Sequence, residues 1–279
     1  MSTKKVIAIT GASSGMGKAA VQLFAHRGWI VYGGARRVEN ISTGTNIHAV
    51  KLDVTDSASN HNFINLITTE QQRIDVLINN AGYGEGGPVE DIPLANVRKQ
   101  FETNFFGAVE LTKLTLPTMR AQKAGRIVNI SSIGGDLYMP LNAYYHASKA
   151  ALQQWSDALD LEVQRFGIRS VIVQPGGTQS AWGDIAVQNM RKNLQPNSAY
   201  LPLVDVLGNV LSSANNRISA TSADLAHVFY AAATDPKPKQ RYFNSFGDRL
   251  VVHVVRAHPK AFRAATGALL HHLERRARN

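Results

Sequence analysis

Short runs of apolar, largely β-branched residues recur along the first 175 positions, and stretches with helical spacing separate them. Val6-Ile7-Ala8-Ile9-Thr10, bounded by Gly11, reads as a buried strand. Val21, Leu23, Phe24 and Ala25 then continue as a helix that stops near Gly28. Further strands are expected at Trp29 to Ala35, Asn46 to Leu52, Ile74 to Ile78, Arg126 to Ile130 and Ile168 to Gln174. Residues 57–72 carry Phe63, Ile64, Leu66 and Ile67 at helical spacing, with Asp56 placed to cap them. Pro93 to Arg120 repeats the pattern with Val97, Phe101, Phe105, Val109, Leu111 and Leu114, and a third long helix runs from about Asn142 to Phe166. Strand–helix alternation of this kind implies an α/β fold: a doubly wound parallel sheet with helices on both faces and right-handed connections.

The breaks between these runs hold the candidate chemistry. Thr10-Gly11-Ala12-Ser13-Ser14-Gly15-Met16-Gly17 lies between a strand and a helix. Glycines there permit a tight turn, and the helix start offers free N–H groups to a pyrophosphate. No Gly-Lys-Ser/Thr closes the loop, so it is not a nucleoside-triphosphate loop of the Walker type. Ala35 ends the second strand and Arg36-Arg37 follow, where an acidic residue would bind ribose hydroxyls and an arginine accommodates a 2′-phosphate. Two solvated loop arginines would read the same way. Asp53 and Asn79-Asn80-Ala81-Gly82 stand at later strand ends, where such sheets bind ligands. Asn104 is an amide among apolar neighbours, which is costly to bury unless it is bonded. Tyr145 and Lys149 are one helical turn apart, so an ammonium can sit near a phenol and favour its ionised form. A ring packed on a lysine stem gives the same spacing.

Composition removes other classes. Cysteine is absent, which excludes disulfides, thiolate metal sites and a cysteine nucleophile, and fits a cytoplasmic location. The nine histidines show no H-x-x-x-H spacing, so no metal is expected. Lys4-Lys5 before Val6 superficially resembles a signal peptide, but the apolar run is too short. The formal charge is +10, without a basic run interleaved with aromatics, so nucleic acid is not an expected partner.

Taken in order, Thr10-Gly11-x-x-x-Gly15-x-Gly17, Asp53, Asn79-Asn80-Ala81-Gly82, Asn104, Ser132, Tyr145 with Lys149, and Pro175-Gly176 resemble the short-chain dehydrogenase/reductase family. The likeness covers roughly residues 4–180. Ser132 lies thirteen residues before Tyr145, which selects it over Ser131, and Tyr144 has no lysine four residues on. The resemblance implies one Rossmann-type catalytic domain over residues 1–248. It implies that Ser132 hydrogen-bonds a substrate carbonyl oxygen, Tyr145 exchanges a proton with it, Lys149 lowers the Tyr145 pKa and binds ribose, and Asn104 supports a water relay. Gly11, Ser13, Ser14, Gly15, Met16 and Gly17 would meet the pyrophosphate, with Arg36, Asp53, Val54, Asn79, Ala81, Gly82, Pro175, Gly176 and Thr178 completing the cofactor site. Gly177 follows Pro175-Gly176, so Thr178 need not align with the family threonine. The expected activity is NADP-dependent interconversion of a carbonyl and an alcohol, with NADP preferred over NAD. The alternative is a non-enzymatic NADP-binding regulator on the same fold.

Residues 178–220 are where the family carries a substrate lid. Trp182 and Tyr138 are candidate pocket walls, and the apolar lid suggests an apolar ketone, aldehyde or secondary alcohol. A last strand is expected near Gln240 to Ser245. Residues 249–279 form a basic extension with Phe262, Leu269, Leu270 and Leu273 near helical spacing. Such a helix suits a membrane surface, its own domain or a partner subunit. Packing is the expectation, because the apolar face is short and Gly267 weakens the helix. A homodimer or homotetramer is implied by resemblance only.

Overall fold

The structure is a computed structural model that describes residues 4–178, 182–214 and 220–278; the side chains of 182–186, 209–214, 273, 274 and 276–278 lie outside the description. The strands are β1 (Val6–Thr10), β2 (Ile30–Ala35), β3 (Ile47–Lys51), β4 (Val76–Asn79), β5 (Gly125–Ile130), β6 (Ile168–Val173) and β7 (Arg241–Tyr242). They form one parallel sheet in the order β3-β2-β1-β4-β5-β6-β7. The main helices are α1 (Gly15–His26), α2 (Ser57–Gln71), α3 (Leu94–Phe101), α4 (Gly107–Gln122), α5 (Ala143–Val163), α6 (Trp182–Lys192), α7 (Leu201–Ala214), α8 (Ser222–Thr234), α9 (Phe246–Ala257) and α10 (Pro259–Arg278).

The apolar run of β1 from Val6 to Ile9 is explained by burial on both faces. Ile7 and Ile9 enter the core under α1 and α8 with Phe24 and Phe229; Val6 and Ala8 enter the opposite core with Phe63, Leu111 and Leu159. Because side chains alternate across a strand, two cores require a continuous apolar run. The chain builds β2 and β3 outward from β1 and then returns to place β4 on the other side. That reversal opens a crevice at the C-terminal ends of β1 and β4, where open sheets of this type bind ligands.

Three details differ from the sequence reading. Trp29 precedes β2 and buries its ring edge-on against Phe24, 5.3 Å between centroids. The long helical stretch expected from Pro93 to Arg120 is interrupted by a π-helical turn at Glu102–Phe106. The last strand, expected near Gln240 to Ser245, is only the two residues Arg241–Tyr242, and α9 begins at Phe246. Asp56 does cap α2, accepting from the Ala58 N–H at 3.0 Å.

Residues between Thr178 and Ala220 form an excursion whose two ends meet in an isolated bridge. Leu141, Met190, Val204 and Leu207 make a small apolar cluster there, joined by Leu270 of α10. This excursion is pinned to the loop after β4. Asn189 donates to the Gly84 carbonyl at 3.0 Å, Asn193 to the Glu85 carboxylate at 2.6 Å, and Ser198 to Asp91 at 2.5 Å. The buried Glu85 and Asp91 thus draw partners from this excursion, and Glu85 also accepts from Asn96 at 3.4 Å.

Candidate active site

The loop after β1 turns on Gly11, whose φ of +67° is open to glycine and strained for other residues. A Cβ on Gly17 would lie 2.3 Å from the Gly11 carbonyl oxygen, so α1 starts pressed against the turn. Thr10 holds this loop to the next: its Oγ1 accepts from the N–H groups of Asn80 and Ala81, both at 2.9 Å. The Asn80 amide donates back to the Thr10 carbonyl at 2.9 Å. Ser14 precedes α1 without a capping side-chain bond, and the first turn has no acidic residue, so the positive helix end stays open to an anion.

One cleft of about 360 Å³ runs over this loop. Gly11, Ser13, Ser14, Gly15, Met16 and Gly17 line it, with Arg36 after β2, Asp53 and Val54 after β3, and Ala81 and Gly82 after β4. Burial would raise the Asp53 pKa, but hydrogen bonds from the Thr55 N–H and hydroxyl, with the charges of Arg36 and Lys99, outweigh it and hold the carboxyl below its ordinary value. Asn79 is a correction. Its amide points into the core and donates to Thr112 at 3.1 Å and Asn129 at 2.9 Å, because even positions along β4 face the other way. Asn80 lines the cleft instead, as does Arg37 beside Arg36; Tyr83 and Thr103 also line it, and the strand-end pattern did not single them out. The Tyr83 hydroxyl is buried with no hydrogen-bond partner, and burial pushes its pKa to about 12. The cradle, the open helix end and the two arginines fit a phosphorylated dinucleotide.

The second half of the site is carried by α5. Tyr145 and Lys149 are both buried, and the Tyr145 hydroxyl is hydrogen-bonded to the Ser132 hydroxyl. Ser132 leaves β5 in an extended conformation, accepts from the Gly134 N–H at 3.0 Å and reaches the Pro175 carbonyl at 3.4 Å. Ser131 faces away and donates to the Lys149 carbonyl at 3.1 Å; Tyr144 is bonded to the Val89 carbonyl. Lys149 Nζ donates to the Ile130 carbonyl at 2.8 Å, and burial pushes its pKa down to about 8. A Cβ on Gly82 would lie 3.3 Å from Lys149 Nζ and 3.1 Å from Asn104 Oδ1, so the lysine end and the cleft are contiguous.

Asn104 sits in the π turn, where the local register change redirects backbone groups. Its Oδ1 accepts from the Tyr83 N–H at 3.0 Å; its Nδ2 donates to the Tyr83 carbonyl at 2.9 Å and to Ser148 Oγ at 3.0 Å. Ser148 in turn donates to the Tyr145 carbonyl at 2.8 Å. One amide thereby couples the cleft loop to α5. The expected lowering of the Tyr145 pKa by Lys149 is not what the structure gives. Burial raises that pKa, the Ser132 hydrogen bond alone opposes it, and the lysine ammonium is held at the Ile130 carbonyl.

The remaining predicted residues stand apart from the cleft. Pro175 and Gly176 follow β6 beside Ser132. The Gly176 N–H donates to Asn244 Oδ1 at 3.0 Å, and the Asp248 carboxylate lies against its Cα. Thr178 bridges Ala220 at the base of the excursion after β6. Tyr138 is 45% exposed and packs edge-on against Phe262 of α10 at 5.1 Å. The Trp182 backbone opens α6; its side chain lies outside the described residues. Among the described residues, no three His, Asp or Glu side chains are grouped to hold a metal ion.

A family model described as short chain dehydrogenase matches residues 5–190. A 3-ketodihydrosphingosine reductase of Bacteroides thetaiotaomicron is 45% identical over 181 residues, 64% of this chain and 66% of that protein. The "Probable short-chain type dehydrogenase/reductase VdlC" of Helicobacter pylori is 34% identical over 259 residues, 91% of this chain and 93% of the other. A solved short-chain dehydrogenase from Streptomyces avermitilis superposes with a TM-score of 0.78 at 30% identity, covering 95% of this chain and 96% of that one.

Proposed function

The chain belongs to the short-chain dehydrogenase family of oxidoreductases, and on that footing we propose that it is an NADP-dependent reductase of an apolar, long-chain ketone. The observation that carries the reading is the hydrogen-bonded Ser132–Tyr145 hydroxyl pair, set beside Lys149 at the end of a cleft whose far rim bears Arg36 and Arg37. Bound NADP supplies the hydride chemistry. The protein supplies the rest. Ser132 donates to the substrate oxygen, and a donor so placed contributes ~10²–10³-fold. Tyr145 delivers the proton to that oxygen, and a positioned general acid contributes ~10²–10⁴-fold. Lys149, one helical turn from Tyr145 and beside Gly82 of the cleft, would hold the ribose end of the cofactor. Asn104 positions both loop and helix, and in the resembled family supports a water relay.

Arg36 selects the 2′-phosphate; Asp53, tied to Thr55 and facing Arg36, sits at the adenine end. The substrate class draws on two things. The lid cluster of Leu141, Met190, Val204 and Leu207 is apolar, and the Bacteroides relative is named for a keto sphingoid base. Titration of NADPH against NADH, followed by NADPH oxidation over ketones of rising chain length, tests the proposal. The expected result is tighter NADPH binding and kcat/KM that climbs with chain length. Arg36→Ala is expected to weaken NADPH roughly tenfold or more while leaving NADH nearly unchanged. Equal affinity for the two cofactors in the wild type would reject the NADP assignment, and turnover confined to short polar ketones would reject the substrate class.

A further inference from the structure

Residues 237–279 contain ten Lys and Arg against two Asp and Glu, a formal +8 out of the chain's +10. Much of this segment folds into α9 and α10 on one side of the domain. α9 buries Val252 and Val255 and turns its opposite face outward. Phe246, Leu250 and Val254, on successive turns, are 77%, 49% and 45% exposed. A groove of about 420 Å³ runs along this stripe, bordered by Arg241, Arg249, His253 and Arg256. Arg241 is paired with Asp157 and Arg256 with Asp136, each at 2.5 Å; Arg249 forms no ion pair among the described residues. Apolar side chains and unneutralised charge therefore share one face.

We propose that the outer face of α9 docks on the surface of an anionic phospholipid bilayer. An amphipathic helix with a basic flank lies in the headgroup boundary with its apolar stripe buried, and an anionic leaflet attracts its cations. Charge decides between occupants. A second copy would set two strongly basic faces against each other, whereas an anionic surface neutralises the one. The contact is a surface contact: among the described residues no helix is long and apolar enough to cross a membrane. The expectation of packing holds for α10, whose Phe262 meets Tyr138 and whose Leu270 joins the lid cluster; the open apolar stripe belongs to α9. The docked helix adjoins the site. Asp248 in its first turn covers Gly176, and Arg256 near its end holds Asp136, three residues beyond Ile133 on the Ser132 segment. The inference stands apart from the substrate assignment, since this face would serve a reductase of any specificity.

The test is flotation of the full chain with vesicles of phosphatidylcholine alone and of phosphatidylcholine with phosphatidylglycerol, at low and high salt. Binding to the anionic vesicles only, weakened by salt, is expected. Phe246→Glu with Leu250→Glu should reduce that binding by about tenfold or more, and Arg249→Glu by about fivefold. Thermal melting and NADPH affinity of each variant serve as folding controls, because these side chains are exposed and outside the cleft. Absence of flotation, equal binding to both vesicle types, or undiminished binding of the double variant would overturn the proposal. So would light scattering that shows a dimer split by the double variant without vesicle binding, which would make this face an interface between copies.

Discussion

Lys149 combines a positive charge with nearly complete burial, and its pKa of about 8 is the consequence. Unfolded, the same amine titrates near 10.5. Between those values the unfolded chain holds a proton that the folded chain has released, so stability rises with pH across the window. At pH 7 the buried ammonium costs on the order of 3 kcal/mol relative to its state above pH 10.5. Lys149→Met removes the titration. Denaturant unfolding at pH 7 and pH 10 should show the wild type gaining stability relative to that variant, and parallel pH profiles would contradict the desolvation account. Asn104 makes a second residue-scale prediction. Its removal leaves the Tyr83 N–H and carbonyl without their partner, so Asn104→Ala should cost roughly 1–3 kcal/mol. It should also lower kcat more than it changes NADPH affinity, because the Ser148 link to Tyr145 is cut.

At the scale of elements, the buried strands were the most readable, since a parallel sheet covered on both faces leaves apolar runs bounded by turns. β1 was read to its ends, and the strand-to-helix turn that carries Gly11, Gly15 and Gly17 followed from it. Phe24 shows why the turn stays in place: it is fully buried between Trp29 and Tyr230 and anchors α1 to α8. Phe24→Ala should destabilise the fold by about 3–5 kcal/mol, measured as a loss in the denaturant midpoint. Other elements depend on tertiary context. The π turn around Asn104 has no local signal, because it is fixed by contact with Tyr83 and Ser148. The inward turn of Asn79 was hidden since Asn79 and Asn80 are chemically alike, and only pleat phase separates them. The basic extension from residue 249 was expected to be helical, and α9 and α10 are helices; the start of α9 at Phe246 was not foreseen. The signal for that start lay just before it: Ser245 caps the Asp248 N–H at 3.0 Å, three residues on.

Across the whole molecule, the site exists because the sheet reverses direction between β3 and β4, bringing chain segments far apart in sequence to one crevice. Thr10 ends β1, Asn80 and Asn104 lie between β4 and β5, and Ser132 and Lys149 lie between β5 and β6. The motif order was legible at that level; the directions in which side chains point, and the pKa values that follow from burial, were not. The charge distribution is also a property of the whole, with a nearly neutral cofactor domain and a basic flank.

The central claim is that Tyr145 is the proton donor in a cofactor-dependent reduction. It is tested most directly by comparing Tyr145→Phe with the wild type, measuring NADPH affinity and single-turnover NADPH oxidation with the best ketone substrate. The ring keeps its packing and loses only the hydroxyl bonded to Ser132. The account predicts NADPH affinity within about twofold of the wild type and turnover lower by ~10²–10⁴-fold. Turnover equal to that of the wild type would contradict it.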